Sequence, residues 1–152
     1  MSARQSAGFG QIVIGAAKTI PGTATQSIFT VTGGLILLTS LVGLVTTAIG
    51  GTATTLSAGS TPTGGSANVT SLATATAITS ATVGTLIAVP KTTGALVVAN
   101  GAVAAGGVLD MGGIAVVPAG VVTVTTSATT TGAITWRLTY LPYDAGVSVT
   151  AL

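Results

Sequence analysis

Only six of the 152 side chains carry a charge: Arg4, Lys18, Lys91, Arg137, Asp110 and Asp144. There is no histidine, cysteine or glutamate. A soluble domain is typically about a quarter charged, so the polar surface here must be built from something else. Threonine and serine supply it, spread among glycine, alanine, valine, leucine and isoleucine. This choice restricts the fold, because threonine, valine and isoleucine are stiff at χ1 and sit better on a pleated sheet than on a helix. No stretch sets an apolar stripe against a charged face at helical spacing.

The composition also narrows chemistry and partners. The length suits one domain, and with 48% apolar but only 3% aromatic residues its core must be aliphatic. The net charge of +2 comes from four scattered cations against two anions. Nucleic-acid binding draws on clustered Lys and Arg contacts to phosphate, so no direct nucleic-acid partner is expected. Without cysteine there are neither disulfides nor thiolate sites. A nearly uncharged, apolar-leaning surface associates readily. Such a chain is therefore expected to be covered in an assembly or to lie in a membrane.

Gly33–Ile49 is the segment on which those two alternatives divide. It is uncharged and about as long as the shortest membrane-spanning helices. It also contains Thr39, Ser40, Thr46 and Thr47, has glycines at 33, 34 and 43, and has neither a flanking basic cluster nor a Trp or Tyr to mark an interface. The preferred reading is two buried strands, Val31–Ser40 and Leu44–Ile49, with the bend near Gly43. A small membrane protein with a span at 33–49 is the alternative.

Along the chain, residues 1–10 read as an extended N-terminal arm and residues 11–152 as a single β-rich domain. Short strands are expected at Gln11–Ile14, Gln26–Thr32, Thr52–Ala58, Ala81–Pro90, Ala95–Asn100, Ala102–Leu109, Ile114–Val117, Val121–Thr126 and Val147–Val149. Turns fall at Lys18–Gly22, Gly59–Ser66, Asn100-Gly101, Gly106-Gly107, Gly112-Gly113 and Pro142–Gly146. In Gln26–Thr32 the alternation sets Phe29 and Val31 opposite Ile28, Thr30 and Thr32. Ala67–Ser80 fits a helix or a polar strand pair, and its threonines favour the strand. The clearest strand is Ala133–Leu141, with Ile134, Trp136, Leu138 and Tyr140 on one face and Thr135, Arg137 and Thr139 on the other. The pattern predicts an all-β fold, an antiparallel sandwich or barrel-like domain.

Little in the chain suggests catalysis. A triad needs a base beside its nucleophile, and there is no histidine. Asp110 and Asp144 are the only carboxylate side chains, and both sit in turn contexts where aspartate caps backbone. Too few oxygen donors and no soft ligands are present for a metal. No glycine-rich stretch has the Gly-Lys-Ser/Thr of a phosphate loop. Neither catalytic residues, metal nor cofactor are expected. Asn68-Val69-Thr70 fits a glycosylation sequon and is read as a chance match. Thr-x-Thr at 23–25, 74–76 and 123–125 lacks the strict repeat of an ice-matching array. Arg4, Phe9, Arg137 and Tyr143 are the candidate interface residues, while Trp136 and Tyr140 are assigned to packing.

Two stretches carry a resemblance. Ser27-Ile-Phe-Thr-Val-Thr-Gly-Gly34, with Leu35–Leu38 and Leu41–Ile49 after it, resembles small virion proteins of tailed bacteriophages. Gly132-Ala-Ile-Thr-Trp-Arg-Leu-Thr-Tyr-Leu-Pro-Tyr-Asp-Ala-Gly146 is similar to the closing strand and turn of the same group. The resemblance implies a capsid decoration (cement) protein, with a tail-tube, collar or receptor-binding component as the alternative. It further implies a β-rich homo-oligomer, a trimer, on the outer capsid surface. Its partners would be the major capsid protein or another virion protein and copies of itself.

Overall fold

A computed structural model describes residues 10–63, 70–90, 96–99 and 115–152. Eleven strands are formed and there is no helix among the described residues. They are β1 (Gln11–Thr19), β2 (Thr25–Thr32), β3 (Ile36–Thr47), β4 (Thr55–Pro62), β5 (Thr70–Ala77), β6 (Leu86–Ala88), β7 (Val97–Ala99), β8 (Ala115–Val117), β9 (Gly120–Thr126), β10 (Ala133–Pro142) and β11 (Ser148–Ala151). One sheet has the order β1-β10-β3-β6-β7, with β8 also pairing β3, and the other runs β11-β2-β9-β4-β5. All pairings are antiparallel. The expected all-β sandwich is what the chain forms.

The chain repeatedly switches layers, since β2, β4, β9 and β11 each follow a strand of the first sheet. Each sheet is thus assembled from residues distant in sequence. The buried side chains are nearly all aliphatic: Ile36, Leu38, Leu41, Val45, Ile134 and Leu138 from the first sheet meet Ile28, Phe29, Val31, Leu56, Val122 and Val124 from the second. Trp136 and Tyr140 join them at 2% exposure each, on the face that the β10 alternation predicts.

Several boundaries differ from expectation. β1 continues past Ile14 to Thr19 and takes in Lys18, because a bulge at Gly15–Ala16 lets it keep pairing with β10. Ile28 and Phe29 are both buried rather than on opposite faces. The β2 register skips Ile28, and that bulge turns two successive side chains inward. β4 runs from Thr55 through the expected loop at Gly59 to Pro62, since Gly59 pairs with Thr123 on one side and Ser71 on the other. Only Leu86–Ala88 of the expected Ala81–Pro90 strand is extended, and Ile78–Thr85 folds into turns closed by Ala81 N–H to Ile78 O and Thr85 N–H to Thr82 O, both 3.1 Å. Ala67–Ser80 contributes β5, the strand alternative.

The largest difference concerns Gly33–Ile49. The bend lies at Gly33–Gly34, and β3 runs straight through Gly43. Gly43 is not a turn residue at all. A Cβ there would stand 2.8 Å from Ile134 Cγ2 and 2.9 Å from Trp136 Cζ3, so the missing side chain is the space the indole fills. No helix of the described residues is long and apolar enough to cross a membrane, and the candidate span is the central strand of a sheet. The expected strand Ala102–Leu109, the turns at 100–101, 106–107 and 112–113, and positions 1–9, 68, 69, 91 and 110 lie outside the described residues.

Gly43→Ala should lower stability by about 1–3 kcal/mol through overpacking against Trp136. Gly51→Ala, whose new Cβ would meet only Ser80 Oγ at 3.9 Å, should stay within about 0.5 kcal/mol. Urea unfolding of the two variants measures both.

Candidate interaction surface

The register of the first sheet dictates which side chains share its outer face. One row reads Leu86, Leu44, Thr135 and Ala17, and the next reads Ala88, Val42, Arg137 and Ile14. A third holds Ser40, Thr139 and Ile12, and a fourth Val116, Leu37 and Leu141. This face is aliphatic with a few hydroxyls, and Arg137 is its only charge among the described residues. Ile12 is 65% exposed, Ile14 59% and Val116 56%; Val42, Leu44, Leu86, Leu37 and Leu141 are half-buried, and Ala88 at the β6 side is buried. Alternation persists across the β3 bulge because Thr39 is the extra residue, and its hydroxyl donates to Thr139 O at 3.0 Å.

The outer face of the second sheet has a different character. Its rows read Thr25, Thr125 and Ser57; Ser27, Thr123, Gly59 and Ser71; Thr150, Thr30, Val121 and Thr61; and Ser148 with Thr32. Here hydroxyls bond one another across strands: Thr25 Oγ1 to Thr125 Oγ1 at 2.7 Å, and Thr32 Oγ1 to Ser148 Oγ at 2.9 Å. Two of the Thr-x-Thr pairs are brought together in this way, which their irregular spacing in the chain conceals. The domain therefore has one aliphatic outer face and one hydroxyl-coated outer face.

Hydroxyls also do at the loop ends what charges do elsewhere. Thr54 N–H donates to Thr79 Oγ1 at 2.9 Å and Thr55 N–H to Ser127 Oγ at 2.9 Å, while Thr54 Oγ1 donates to Ala128 O at 3.1 Å. Thr126 Oγ1 donates to Gly22 O. Each bond ties together segments far apart in the chain and satisfies backbone groups that no ladder reaches.

Asp144 is structural, with a partner different from its own turn. Its Oδ2 accepts the Leu35 N–H at 2.7 Å, and Leu35 O in return accepts the N–H groups of Tyr143 and Asp144 at 3.1 and 3.3 Å. This joins the β10–β11 turn to the β2–β3 turn. Gly34 makes it feasible, with φ +145° and a position where a Cβ would lie 2.8 Å from Asp144 Cβ. Asp110 lies outside the described residues, as do Arg4 and Phe9. Arg137 stands in the middle of the aliphatic face, and Tyr143 is 66% exposed on the turn just beyond β10. Six positions along the extended end of β10 separate them by about 20 Å, so they do not form one cluster. No group of three or more His, Cys, Asp or Glu that could hold a metal exists among the described residues. A cleft beside Lys18, Gln26 and Trp136 leaves room for no more than a water.

Sequence reasoning did not single out Ile12 and Ile14. Their i, i+2 spacing was legible, but only the pairing of β1 with β10 decides that this face points outward. No protein-family model matches the chain, and no curated protein or solved structure matches it either.

Asp144→Ala should cost about 1–3 kcal/mol by orphaning the Leu35 N–H. Asp144→Asn keeps an acceptor oxygen and should cost less than half as much. Thermal denaturation of both variants checks this.

Proposed function

We propose that this chain is a non-enzymatic structural protein of a tailed-phage virion, a capsid decoration protein that binds and stabilises the head shell from outside. The observation that carries the reading is the aliphatic outer face of the first sheet, with Arg137 as its single described charge. Its exposed part, Ile12, Ile14 and Val116 beside the half-buried Leu37, Val42, Leu44 and Leu141, supports a docking role. The resemblance of the Ser27–Ile49 and Gly132–Gly146 stretches to phage virion proteins supplies the class of partner.

The physics of such a role fits the composition. A cement protein must hold shell subunits together against internal pressure from packaged DNA, in whatever salt the particle meets. Ion pairs weaken as salt screens them, whereas apolar burial and cross-strand hydrogen bonds do not depend on charge. A chain with six charges in 152 residues relies on contacts of the second kind. In the shell-bound state the aliphatic face is covered, and Arg137 at its centre supplies direction by meeting a carbonyl or carboxylate of the shell.

Purified protein is expected to co-sediment with undecorated phage heads at a fixed copy number and to raise their disruption temperature. Arg137→Glu should weaken that binding by about tenfold while leaving the protein's own melting temperature unchanged. Heads that bind none of the protein, with the same chain found instead in tail fractions, would replace this reading with the tail or collar alternative.

A further inference from the structure

β1 lies at the end of its sheet, paired on one side with β10, and no strand among the described residues pairs with its other side. It is nine residues long, contains no proline, and has one charge, Lys18, in its second half beyond the bulge at Gly15–Ala16. Natural edge strands of this length are normally guarded by charge, proline or distortion along their whole run. Here the guards occupy one half only. Among the described residues, Gln11–Ile14 forms an open ladder edge that carries two isoleucines exposed at 65% and 59%.

We infer that this half of β1 is the pairing site for a second copy of the chain, joined antiparallel about a two-fold axis through Val13. Three features select a second copy over an unrelated strand. First, the half-strand is self-complementary: with the axis at Val13, Ile12 falls opposite Ile14 of the second copy and Ile14 opposite Ile12. All four isoleucines then lie on one outer face, where direct cross-strand pairs of β-branched residues stabilise a sheet. Second, the charges stay apart. Lys18 is four ladder steps from the axis in each copy once the bulge is counted, so the two Lys18 backbones are about 26 Å apart at ~3.3 Å per step, well beyond the Debye length. A parallel pairing would set lysine beside lysine.

Third, a two-fold contact closes on itself. It occupies the Gln11–Ile14 edge of both copies at once, so no third chain can add at that edge, which suits an edge otherwise so poorly guarded. The union makes one continuous sheet across both copies, and the aliphatic outer faces run on from one protomer to the other through Ile12 and Ile14. This pairing does not depend on the virion reading. A chain that dimerises without binding phage heads would overturn that reading and leave the pairing intact.

The chain has no native cysteine, so single cysteines report the axis directly. Residues facing each other across an antiparallel ladder have Cα atoms about 4.5–5.5 Å apart, within disulfide reach. Val13→Cys should cross-link into a dimer on oxidation, whereas Thr19→Cys, six positions from the axis, should remain unlinked. Light scattering of the unmodified chain at roughly 100 μM, where even a Kd near 10 μM leaves most of it paired, should give the mass of two protomers. Ile12→Lys and Ile14→Lys should each weaken association by at least about tenfold, with circular dichroism unchanged and the melting temperature unchanged when compared at dilutions where both proteins are monomeric. A monomer at that concentration, a trimer, a dimer indifferent to both lysine variants, or equal cross-linking at positions 13 and 19 would each overturn the inference.

Discussion

The antiparallel pairing of β3 with β10 is the interaction on which the rest of the structure depends. It extends from Ile36–Pro142 at one end to Thr47–Ala133 at the other and forms the middle of the first sheet. On its inner side it presents Ile36, Leu38, Leu41, Val45, Ile134, Trp136, Leu138 and Tyr140 to the second sheet. On its outer side it presents Leu37, Val42, Leu44, Arg137 and Leu141. Gly43 beneath Trp136 lets the single indole of the chain sit between layers that aliphatic side chains, with Phe29 and Tyr140, otherwise fill.

Charge scarcity then shapes everything around this ladder. Each layer crossing leaves backbone donors and acceptors beyond the reach of the sheets, and leaving them unpaired when buried costs about 1–3 kcal/mol apiece. Threonine and serine hydroxyls bridge many of these crossings, and Asp144 bridges another. The same residue types coat the outside of the second sheet. One polar group thus serves as cap, as ladder and as surface, and its strength does not change with salt.

Much of the fold is legible in the chain. β10 alternates so cleanly that its buried and outward faces follow from spacing alone, and β2 and β9 lie where their β-branched residues place them. The errors share a cause. Glycine at 43 and at 59 looks like punctuation because glycine usually marks turns, yet both sit within strands: Ile134 and Trp136 need the space at Gly43, and Gly59 is paired on both sides by β5 and β9. Ile28 breaks alternation because a bulge inserts a residue, and bulges are set by the partner strand's register rather than by local sequence. The candidate surface was half visible: Arg137 and Tyr143 project outward as their positions suggest, but Ile12 and Ile14 carry no local sign of their exposure.

Composition and periodicity by themselves determined the class of fold, and composition shows that the chain carries no imidazole, thiol or glutamate side chain. Side-chain branching and the near absence of charge act residue by residue, so they can be read without coordinates. Tertiary structure alone decided which apolar stripe faces the core and which faces outward. A strand has two equivalent faces, and only its pairing partners and the opposing sheet distinguish them. The pairing of β1 with β10, across more than a hundred residues, makes Ile12 and Ile14 surface residues. It also leaves β1 as the edge of the sheet.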